Sequence, residues 1–258
     1  MGFPNYSDKI NKKEVYSPLQ YISYKKKVRQ YPEFKPPIGV ILCYSRALLD
    51  YISKKPKVTK SKGLYSNMFI LKTSKGNIAI VGRFGVGAPV AVKRLEELIA
   101  YGVRKFVSIG TAGTLQKDIP IGSIIVCEKA IRDEGTSYHY LKRSKYAYAS
   151  KKLTKKIKNN LEKNNMKYFS GTSWTTDAPY RETIAEVKKY QKEGVSTVDM
   201  ESSALFAVAK YRKVEIGSIL TISDSLANLK WNPKSHSKKT AKSLEILFQV
   251  ALDTLTNS

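Results

Sequence analysis

Two acidic residues stand at the ends of otherwise apolar segments of this 258-residue chain. Glu201 lies in Val198-Asp199-Met200-Glu201-Ser202-Ser203-Ala204, and Asp224 lies in Ile222-Ser223-Asp224-Ser225. A carboxylate at the end of a buried strand must be solvated, paired or bound to a ligand, because burying it alone is costly. Glu201 is suited to accept two hydrogen bonds from a vicinal diol, such as the ribose 2′- and 3′-hydroxyls. Asp224 is suited to act as a general acid, a role that carboxyl groups take when their surroundings keep them protonated.

A glycine-rich segment, Gly110-Thr111-Ala112-Gly113, supplies a third chemical element. It follows the apolar run 105–109, and we expect a turn whose backbone N–H groups and Thr111 hydroxyl hold an oxyanion such as phosphate. Each of the three elements alone is also typical of an ordinary turn or helix cap. If the strands are parallel, all three lie along one edge of the sheet, where α/β proteins bind ligands.

The elements that position these residues alternate between strands and helices. Apolar runs predict strands at 38–43, 67–73, 77–82, 105–109, 123–127, 195–198 and 214–222. Helical periodicity predicts helices that begin at residue 47 and that cover 90–101, 150–164, 183–192, 202–211 and 235–255. The pattern favours a single α/β domain over 38–258, with a mostly parallel central sheet and helices on both faces. Residues 1–37 are expected to form a polar N-terminal arm.

The chain is strongly basic, with 46 Lys and Arg against 21 Asp and Glu and a formal net charge of +25. Such a charge attracts nucleic acids, anionic membranes and phosphate-bearing ligands. The lysines are scattered, however, and the densest run, at 151–167, carries Leu153, Ile157 and Leu161 at four-residue spacing. That spacing predicts a helix whose lysines face solvent. We therefore expect no specific nucleic-acid partner, apart from non-specific affinity at low salt.

The sequence shows no membrane, export or metal-binding pattern. No run of 18 or more apolar residues is present, and the polar N-terminus lacks the apolar core of a signal peptide. We therefore expect no membrane partner and a cytoplasmic location. Cys43 and Cys127 lie in apolar runs and are expected to be buried free thiols. No spacing of Cys and His residues is typical of a metal site, so no metal is predicted.

Five motifs give the chain a resemblance to a known family. They are Gly85-Val86-Gly87-Ala88-Pro89, Val103-Arg104-Lys105-Phe106-Val107-Ser108-Ile109-Gly110-Thr111-Ala112-Gly113, Gly122-Ser123-Ile124-Ile125-Val126, Val198-Asp199-Met200-Glu201 and Ile222-Ser223-Asp224. In order and spacing they resemble the nucleoside phosphorylase-I superfamily, the purine nucleoside and uridine phosphorylases, over residues 38–255. The resemblance implies a three-layer α/β/α fold with a mixed, partly barrel-like sheet. It also implies homo-oligomers, as dimers or as trimers of dimers (hexamers), in which a neighbouring subunit completes each site.

The resemblance assigns roles to residues at the sugar and base ends of a nucleoside. Met200 and Glu201 resemble the ribose-binding pair, with Glu201 on the 2′- and 3′-hydroxyls. Asp224 matches the aspartate that protonates or hydrogen-bonds purine N7 in purine-cleaving members. Trp174 matches an aromatic residue that packs on the base or sugar, although a buried tryptophan is equally typical of a core. Arg181 is a candidate for reading a base carbonyl, and the alternative is an exposed ion pair with a nearby glutamate.

The phosphate site departs from the family pattern. Gly110 and Thr111 match the turn that touches phosphate, and Arg46 resembles, in a shifted register, an arginine of the loop after the first strand. Ser108 occupies the position of a second arginine. Lys62 falls near a third arginine, which the neighbouring subunit supplies in the family. With this weaker anion site, hydrolysis by water stays open as an alternative to phosphorolysis.

These assignments predict a nucleoside phosphorylase, a pentosyltransferase that cleaves the N-glycosidic bond with phosphate and yields the free base and a (deoxy)ribose 1-phosphate. Phosphate is a co-substrate, and no metal or organic cofactor is expected. Purine nucleosides are favoured because of Asp224; uridine is the nearest alternative, prompted by the segment Tyr138-His139-Tyr140, where His139 either approaches the substrate from a neighbouring subunit or lies on the surface. A hydrolase of the methylthioadenosine nucleosidase type is the second enzymatic alternative. A non-catalytic nucleoside-binding protein and a nucleic-acid binder are the alternatives from other classes.

Overall fold

The computed structural model describes residues 4–6, 8–28, 35–61 and 67–256 of the chain. The described strands are β1 Gly39–Cys43, β2 Val58–Lys60, β3 Met68–Thr73, β4 Gly76–Gly82, β5 Lys105–Thr114, β6 Ile124–Asp133, β7 Tyr146–Tyr148, β8 Phe169–Thr176, β9 Thr197–Asp199, β10 Glu215–Ser225 and β11 Asn232–Pro233. The described helices are α1 Pro18–Lys27, α2 Arg46–Ser53, α3 Ala88–Tyr101, α4 Lys151–Lys163, α5 Ile184–Lys192, α6 Ser202–Arg212 and α7 Lys238–Thr256. Short 3-10 turns lie at Lys9–Asn11, Ser137–His139 and Pro179–Arg181.

The strands form one mixed sheet in the order β11-β10-β6-β8-β9-β5-β1-β4-β3-β2, with β7 beside β6. The neighbours β4, β1, β5 and β10 are parallel, as are β6, β8 and β9. The two groups meet through antiparallel pairs, β10 with β6 and β5 with β9. Because β10 also pairs with β5, the strands β5, β10, β6, β8 and β9 close into a ring. The predicted mixed and partly barrel-like sheet is therefore confirmed.

Helices cover both faces of the sheet and give the predicted three layers. Along β1 the side chains alternate: Val40 and Leu42 join the apolar cluster beneath α3 and α6, while Ile41 and Cys43 join the cluster beneath α2, α4 and α7. This alternation follows from the pleat of a strand that is buried on both faces. A smaller cluster around Trp174 packs under α5. Apolar clusters on both faces of the sheet therefore hold in place the strands that carry the acidic residues.

Most predicted elements are present, but three predictions about the site's backbone are wrong. Gly110-Thr111-Ala112-Gly113 is not a turn, because β5 continues through it to Thr114. Asp224 lies inside β10, which extends to Ser225, rather than after the end of that strand. β9 runs antiparallel to β5, so the acidic residues do not lie at the ends of strands that all run in one direction. The sequence also gave no indication of β8, whose serines and threonines weaken the apolar pattern.

The N-terminal segment carries a helix that its polar composition does not predict. Ser17 caps α1 through a capping box with Gln20, and Pro18 is its first residue. Ile22 is the buried residue of this helix, and α1 contacts α3. The Lys93 ammonium of α3 lies 5.4 Å from the ring centre of Tyr21. The described part of the N-terminal segment is thus packed onto the domain.

The structure also settles two expectations about surface and core. In α4 the residues Leu153, Ile157 and Leu161 are buried, and the lysines lie on the remaining, more accessible faces as predicted. Cys43 and Cys127 are buried free cysteines, and burial raises the pKa of each thiol above its usual range. Within the described residues, no helix is both long and apolar enough to cross a membrane.

Candidate active site

A cavity of about 220 Å³ lies where β5, β9 and β10 meet the segments after β1, β4 and β8. Five residues predicted for the site line it, namely Gly110, Thr111, Met200, Glu201 and Asp224. The other lining residues are Tyr44, Val86, Ser108, Ala112, Gly113, Pro179, Glu182, Val198, Asp199, Leu220 and Ser223. Sequence reasoning therefore found both acidic residues and the β5 segment that the fold brings together.

Gly113 of β5 is the point at which the three strands converge. It pairs with Asp224 of β10 on one side and with Val198 of β9 on the other. A Cβ atom at this position would stand 3.0 Å from Asp224 Oδ2 and 3.1 Å from a Val198 methyl group. The pairing register also shifts between Ile222 and Asp224, so that Ser223 is the extra residue of a β-bulge. Bulges of this kind re-aim side chains next to active sites, and this one brings Asp224 to the cavity.

Glu201 is held by the loop that precedes α3. Its Oε1 accepts a hydrogen bond of 2.6 Å from the Gly87 backbone N–H. Gly87 caps α3 with φ at 101°, a conformation that glycine adopts without strain. Burial, and then the negative charge of Asp199, raises the pKa of Glu201 to about 7. The motif Gly85-Val86-Gly87 thus positions the carboxylate that was predicted to bind the sugar.

Asp199 is a buried positioning residue that the sequence reasoning did not assign. Its Oδ1 accepts hydrogen bonds from Thr175 Oγ1 at 2.7 Å and Ser173 Oγ at 3.0 Å, and its Oδ2 accepts one from the Ser202 backbone N–H at 3.0 Å. These contacts tie β9 to β8 and to the first turn of α6. Burial raises the pKa of Asp199 in spite of these donors. The residue fixes the short turn that carries Met200 and Glu201.

Asp224 accepts hydrogen bonds at both carboxylate oxygens. Ser223 Oγ donates to Oδ1 at 2.7 Å, and the indole N–H of Trp231 donates to Oδ2 at 3.2 Å. Trp231 is 69% exposed, which is unusual for so large an aromatic residue. The sequence reasoning did not identify Trp231, and its exposed indole beside Asp224 is visible only in the fold.

Glu182 is a second acidic residue at the same end of the cavity. It follows the turn Pro179–Arg181 and lines the cavity together with Pro179. Burial, followed by the negative charges of Asp224 and Glu186, raises the pKa of Glu182 to about 7. The sequence did not single out Glu182; it offered only an unspecified nearby glutamate as an ion-pair partner of Arg181, and no ion pair of Arg181 is found among the described residues.

Several predicted site residues lie elsewhere. Trp174 is in the core, where its Nε1 donates to Asp133 Oδ2 at 2.8 Å and its ring lies 4.8 Å from that of Tyr190. The structure therefore places Trp174 in the core with residues of α5, the alternative given for it, and not in the cavity lining. Arg181 and Arg46 are exposed and do not line the cavity. Lys62 lies outside the described residues.

The end of the cavity assigned to phosphate is formed by neutral groups. Gly110, Thr111, Ser108 and Tyr44 line it, and Ser108 is only 2% exposed. No Lys, Arg or His of the described residues lines the cavity. Burial, and then the negative charge of Glu201, raises the pKa of Tyr44 far above its usual value, so its hydroxyl stays protonated. Among the residues that the structure describes, no cluster of three or more His, Cys, Asp or Glu side chains is placed to bind a metal ion.

Comparison with known proteins decides the family. Residues 37–255 match the family described as the phosphorylase superfamily. The chain belongs to the phosphorylase superfamily. The match covers both acidic motifs, β5 and the loop before α3, which together form the cavity.

Similarity to individual proteins supports the assignment of this chain to the phosphorylase superfamily. It is 30% identical over 183 residues to a DeoD-type purine nucleoside phosphorylase of Bacillus cereus, covering 70% of this chain and 77% of that protein. It is 29% identical over 184 residues to the corresponding protein of an Exiguobacterium species, covering 70% and 76%. The crystal structure of uridine phosphorylase from Vibrio fischeri superposes with a TM-score of 0.76 at 29% identity, covering 86% of this chain and 92% of that one.

A more distant structure shares the fold. Purine nucleoside phosphorylase from Toxoplasma gondii superposes with a TM-score of 0.76 at 20% identity, covering 87% of this chain and 92% of that one. The predicted nucleoside phosphorylase family, its α/β/α fold and its class of pentosyltransferase enzymes are confirmed.

Proposed function

We propose that this protein cleaves purine nucleosides with phosphate, and that Glu201 and Asp224 mark the sugar and base ends of its site. The observation that carries the proposal is that both carboxylates line one 220 Å³ cavity, although 23 residues separate them in the chain. The relatives named as purine nucleoside phosphorylases support the choice of purine. In this reading Met200 packs beside the sugar, and Gly110 and Thr111 contact phosphate.

In the proposed reaction, a phosphate oxygen forms a bond to C1′ as the C1′–N9 bond breaks. The bonding electrons move into the purine ring, and N7 takes up a proton on the Asp224 side of the cavity. Positive charge develops on the sugar at the transition state, where the phosphate anion offsets it. The protein's contribution is to align the three groups in one cavity, which replaces a costly encounter by a bound geometry.

Glu201 performs its proposed role as an anion. A carboxylate accepts the two hydrogen bonds of a ribose diol more strongly than a carboxylic acid does. Because the pKa of Glu201 is raised to about 7, the diol binds best above that pH, where the residue is ionised. The Gly87 N–H occupies one lone pair of Oε1 and leaves acceptor capacity on both oxygens for the sugar.

A hydrolase is the second candidate, and one observation favours it. No cation of the described residues lines the cavity, and Ser108 stands at the position where the family pattern has an arginine. Neutral donors at this end suit water as well as phosphate. Phosphorolysis is the main proposal, with Arg46 and Lys62 of a neighbouring subunit as the proposed cations for phosphate.

The test is a panel of adenosine, inosine, guanosine, uridine and methylthioadenosine, each with and without phosphate. The proposal expects turnover of a purine nucleoside that depends on phosphate and releases a ribose 1-phosphate. Turnover without phosphate that releases free ribose would establish the hydrolase instead. Preference for uridine would move the protein to the alternative that the Vibrio fischeri structure suggests.

The role of Asp224 is tested by Asp224→Asn, which keeps the size of the side chain. We expect kcat on the preferred purine nucleoside to fall by about 10²-fold or more, the usual contribution of a positioned acid. Thr111→Val, a variant of similar volume at the phosphate end, should instead raise the KM for phosphate. If Asp224→Asn left the rate unchanged, the base end would be wrongly assigned.

We further propose a homo-oligomer, as a dimer or a trimer of dimers, located in the cytoplasm. Three exposed side chains lie in or next to the cavity lining. Val86 lines the cavity and is 60% exposed, Tyr180 stands between the lining residues Pro179 and Glu182 in the chain and is 100% exposed, and Trp231 donates to Asp224 and is 69% exposed. Exposed groups of this kind mark interaction surfaces. Sedimentation of the purified protein tests the assembly, and a monomeric species at micromolar concentration would contradict it.

A further inference from the structure

Glu182 and Asp224 are two carboxylates at one end of the cavity, and their surroundings differ. Both line the cavity, and the negative charge of Asp224 acts on Glu182. Asp224 accepts hydrogen bonds from Ser223 Oγ and from the indole of Trp231, one at each oxygen. Donors of this kind stabilise the ionised form of a carboxylate. Asp224 is therefore the member of the pair that has a hydrogen-bond donor at each carboxylate oxygen.

Glu182 lacks such donors. Among the described residues it makes no hydrogen bond or ion pair, and its side chain is half-buried. The charged groups that act on it are Asp224, which lines the same cavity, and Glu186 of α5, and both are acidic. Glu186 is itself engaged at the start of α5, where its Oε2 accepts hydrogen bonds from the Thr183 hydroxyl and backbone N–H. Burial and these two like charges raise the pKa of Glu182 to about 7.

We propose that Glu182 and Asp224 act as a one-proton acid pair, in which Glu182 stores the proton that the leaving base takes up. Two carboxylates in one site resist simultaneous ionisation, so one proton resides on the member that its surroundings stabilise less as an anion. Here that member is Glu182. The inference rests on the proposed purine cleavage and adds a second catalytic residue to it.

The proton's path follows from this arrangement. As the C1′–N9 bond breaks and its electron pair enters the purine ring, the proton of Glu182 moves to Asp224, and Asp224 delivers it to N7. The phosphate oxygen forms the new bond to C1′. Both carboxylates are then ionised, the base leaves as a neutral molecule, and the pair regains one proton from water when the products depart.

The pair predicts a pH dependence whose sign is fixed by its chemistry. An acid acts only while protonated, so the turnover that Glu182 supports is present below its pKa of about 7 and is lost as the pH rises above it. Glu201 has the opposite effect on the pH profile. It binds the diol as an anion, so its contribution to turnover rises as the pH increases through its pKa. Phosphate also titrates in this range, and its contribution is the same in the wild type and in every variant.

The experiment compares the wild type with Glu182→Gln on two substrates. One is the purine nucleoside that the wild type cleaves best, and the other is its N7-methylated derivative, whose base carries a positive charge and needs no proton at N7. We expect Glu182→Gln to lose about 10²-fold in kcat/KM on the natural nucleoside. It should lose less than about 3-fold on the methylated one, and the decline in turnover above pH 7 should disappear from its pH profile.

Glu186→Gln is the matched control. It removes the same charge from the same segment, does not line the cavity, and keeps a residue that completes the capping box of α5. We expect Glu186→Gln to retain wild-type turnover on both substrates. Because one negative charge that raises the pKa of Glu182 is removed, the fall in turnover at high pH should begin at a slightly lower pH.

The experiment tests the acid role of Glu182 separately from the proposed purine cleavage. Equal losses on both substrates would assign Glu182 to positioning and would overturn its role as an acid. An unchanged rate and an unchanged pH profile in Glu182→Gln would also overturn it. Turnover by the wild type tests the proposed function itself, and the ratio between the two substrates tests the proton pair.

Discussion

Replacing Glu201 by glutamine should raise the free energy of unfolding, and the gain should be larger at pH 8 than at pH 5. Burial, and then the negative charge of the buried Asp199, raises the pKa of Glu201 to about 7 from the usual 4.5. A folded-state pKa above the unfolded value means that ionisation opposes folding. The stability linked to the protonated form is therefore present below pH 4.5 and is lost as the pH rises toward 7. Glutamine has nearly the same shape, carries no charge and can accept the hydrogen bond from the Gly87 N–H.

The magnitude follows from the size of the shift. Each pH unit of difference between folded and unfolded pKa corresponds to about 1.4 kcal/mol. At pH 8 both states of Glu201 are ionised, and the full difference destabilises the wild type by about 3 kcal/mol. At pH 5 the folded protein holds Glu201 protonated while the unfolded chain is partly ionised, which leaves about 1 kcal/mol. We therefore expect Glu201→Gln to gain about 2 kcal/mol more at pH 8 than at pH 5.

The assay is equilibrium unfolding in urea at the two pH values, monitored by circular dichroism, for the wild type and for Glu201→Gln. Glu245→Gln, at an exposed position of α7, is the matched control and should change stability by less than about 0.5 kcal/mol at both pH values. An equal gain at pH 5 and pH 8, or a loss of stability at pH 8, would refute the reasoning. Turnover of the variant should fall in the same preparation, because an amide accepts the diol's hydrogen bonds less strongly than a carboxylate.

Two further predictions concern the core and the convergence of strands. Trp174→Phe should lower the free energy of unfolding by about 1–2 kcal/mol, since it loses packing and the bond to Asp133. The variant should keep kcat/KM within about 3-fold of the wild type. A large rise in the KM for the nucleoside would instead show that Trp174 contacts the substrate. Gly113→Ala should reduce turnover and stability together, because the new methyl group would stand 3.0 Å from Asp224 Oδ2. A crystal structure of the variant with Asp224 unmoved and full activity would contradict this second expectation.

The described strands and helices follow the sequence where the local pattern is strong. β1 and α3 carry continuous apolar runs or clear helical periodicity, and both form where they are expected. β8 was missed because its residues Ser170 to Thr176 are mostly small and polar, and their burial comes from the strands on either side. α1 was missed for a related reason, because it buries Ile22 alone against the rest of the protein. In both cases tertiary contacts, rather than local preference, decide the structure.

The candidate site divides in the same way. Glu201 and Asp224 were identified from the sequence because a carboxylate among apolar residues is rare enough to demand a partner. Trp174 was left open between a core and a ligand site, because an aromatic residue on a polar strand is equally compatible with both; the structure places its side chain in the core. Glu182 and Trp231 lie in segments that look like ordinary polar surface, and they become site residues because the fold places them beside Asp224.

The sequence by itself determined the family, the alternation of strands and helices, and the two acidic residues around which the site is organised. These depend on residue types and on spacing along the chain. Only the tertiary structure decided that β5 runs straight through its glycines, that β9 pairs with it in the opposite direction, and that Glu182 lines the same cavity as Asp224. Each of those features involves residues that are far apart in the chain. Their distance in space depends on how the strands of the sheet pair with one another. The charges in the cavity therefore depend on the fold, because the burial and the neighbours that set each pKa come from distant segments.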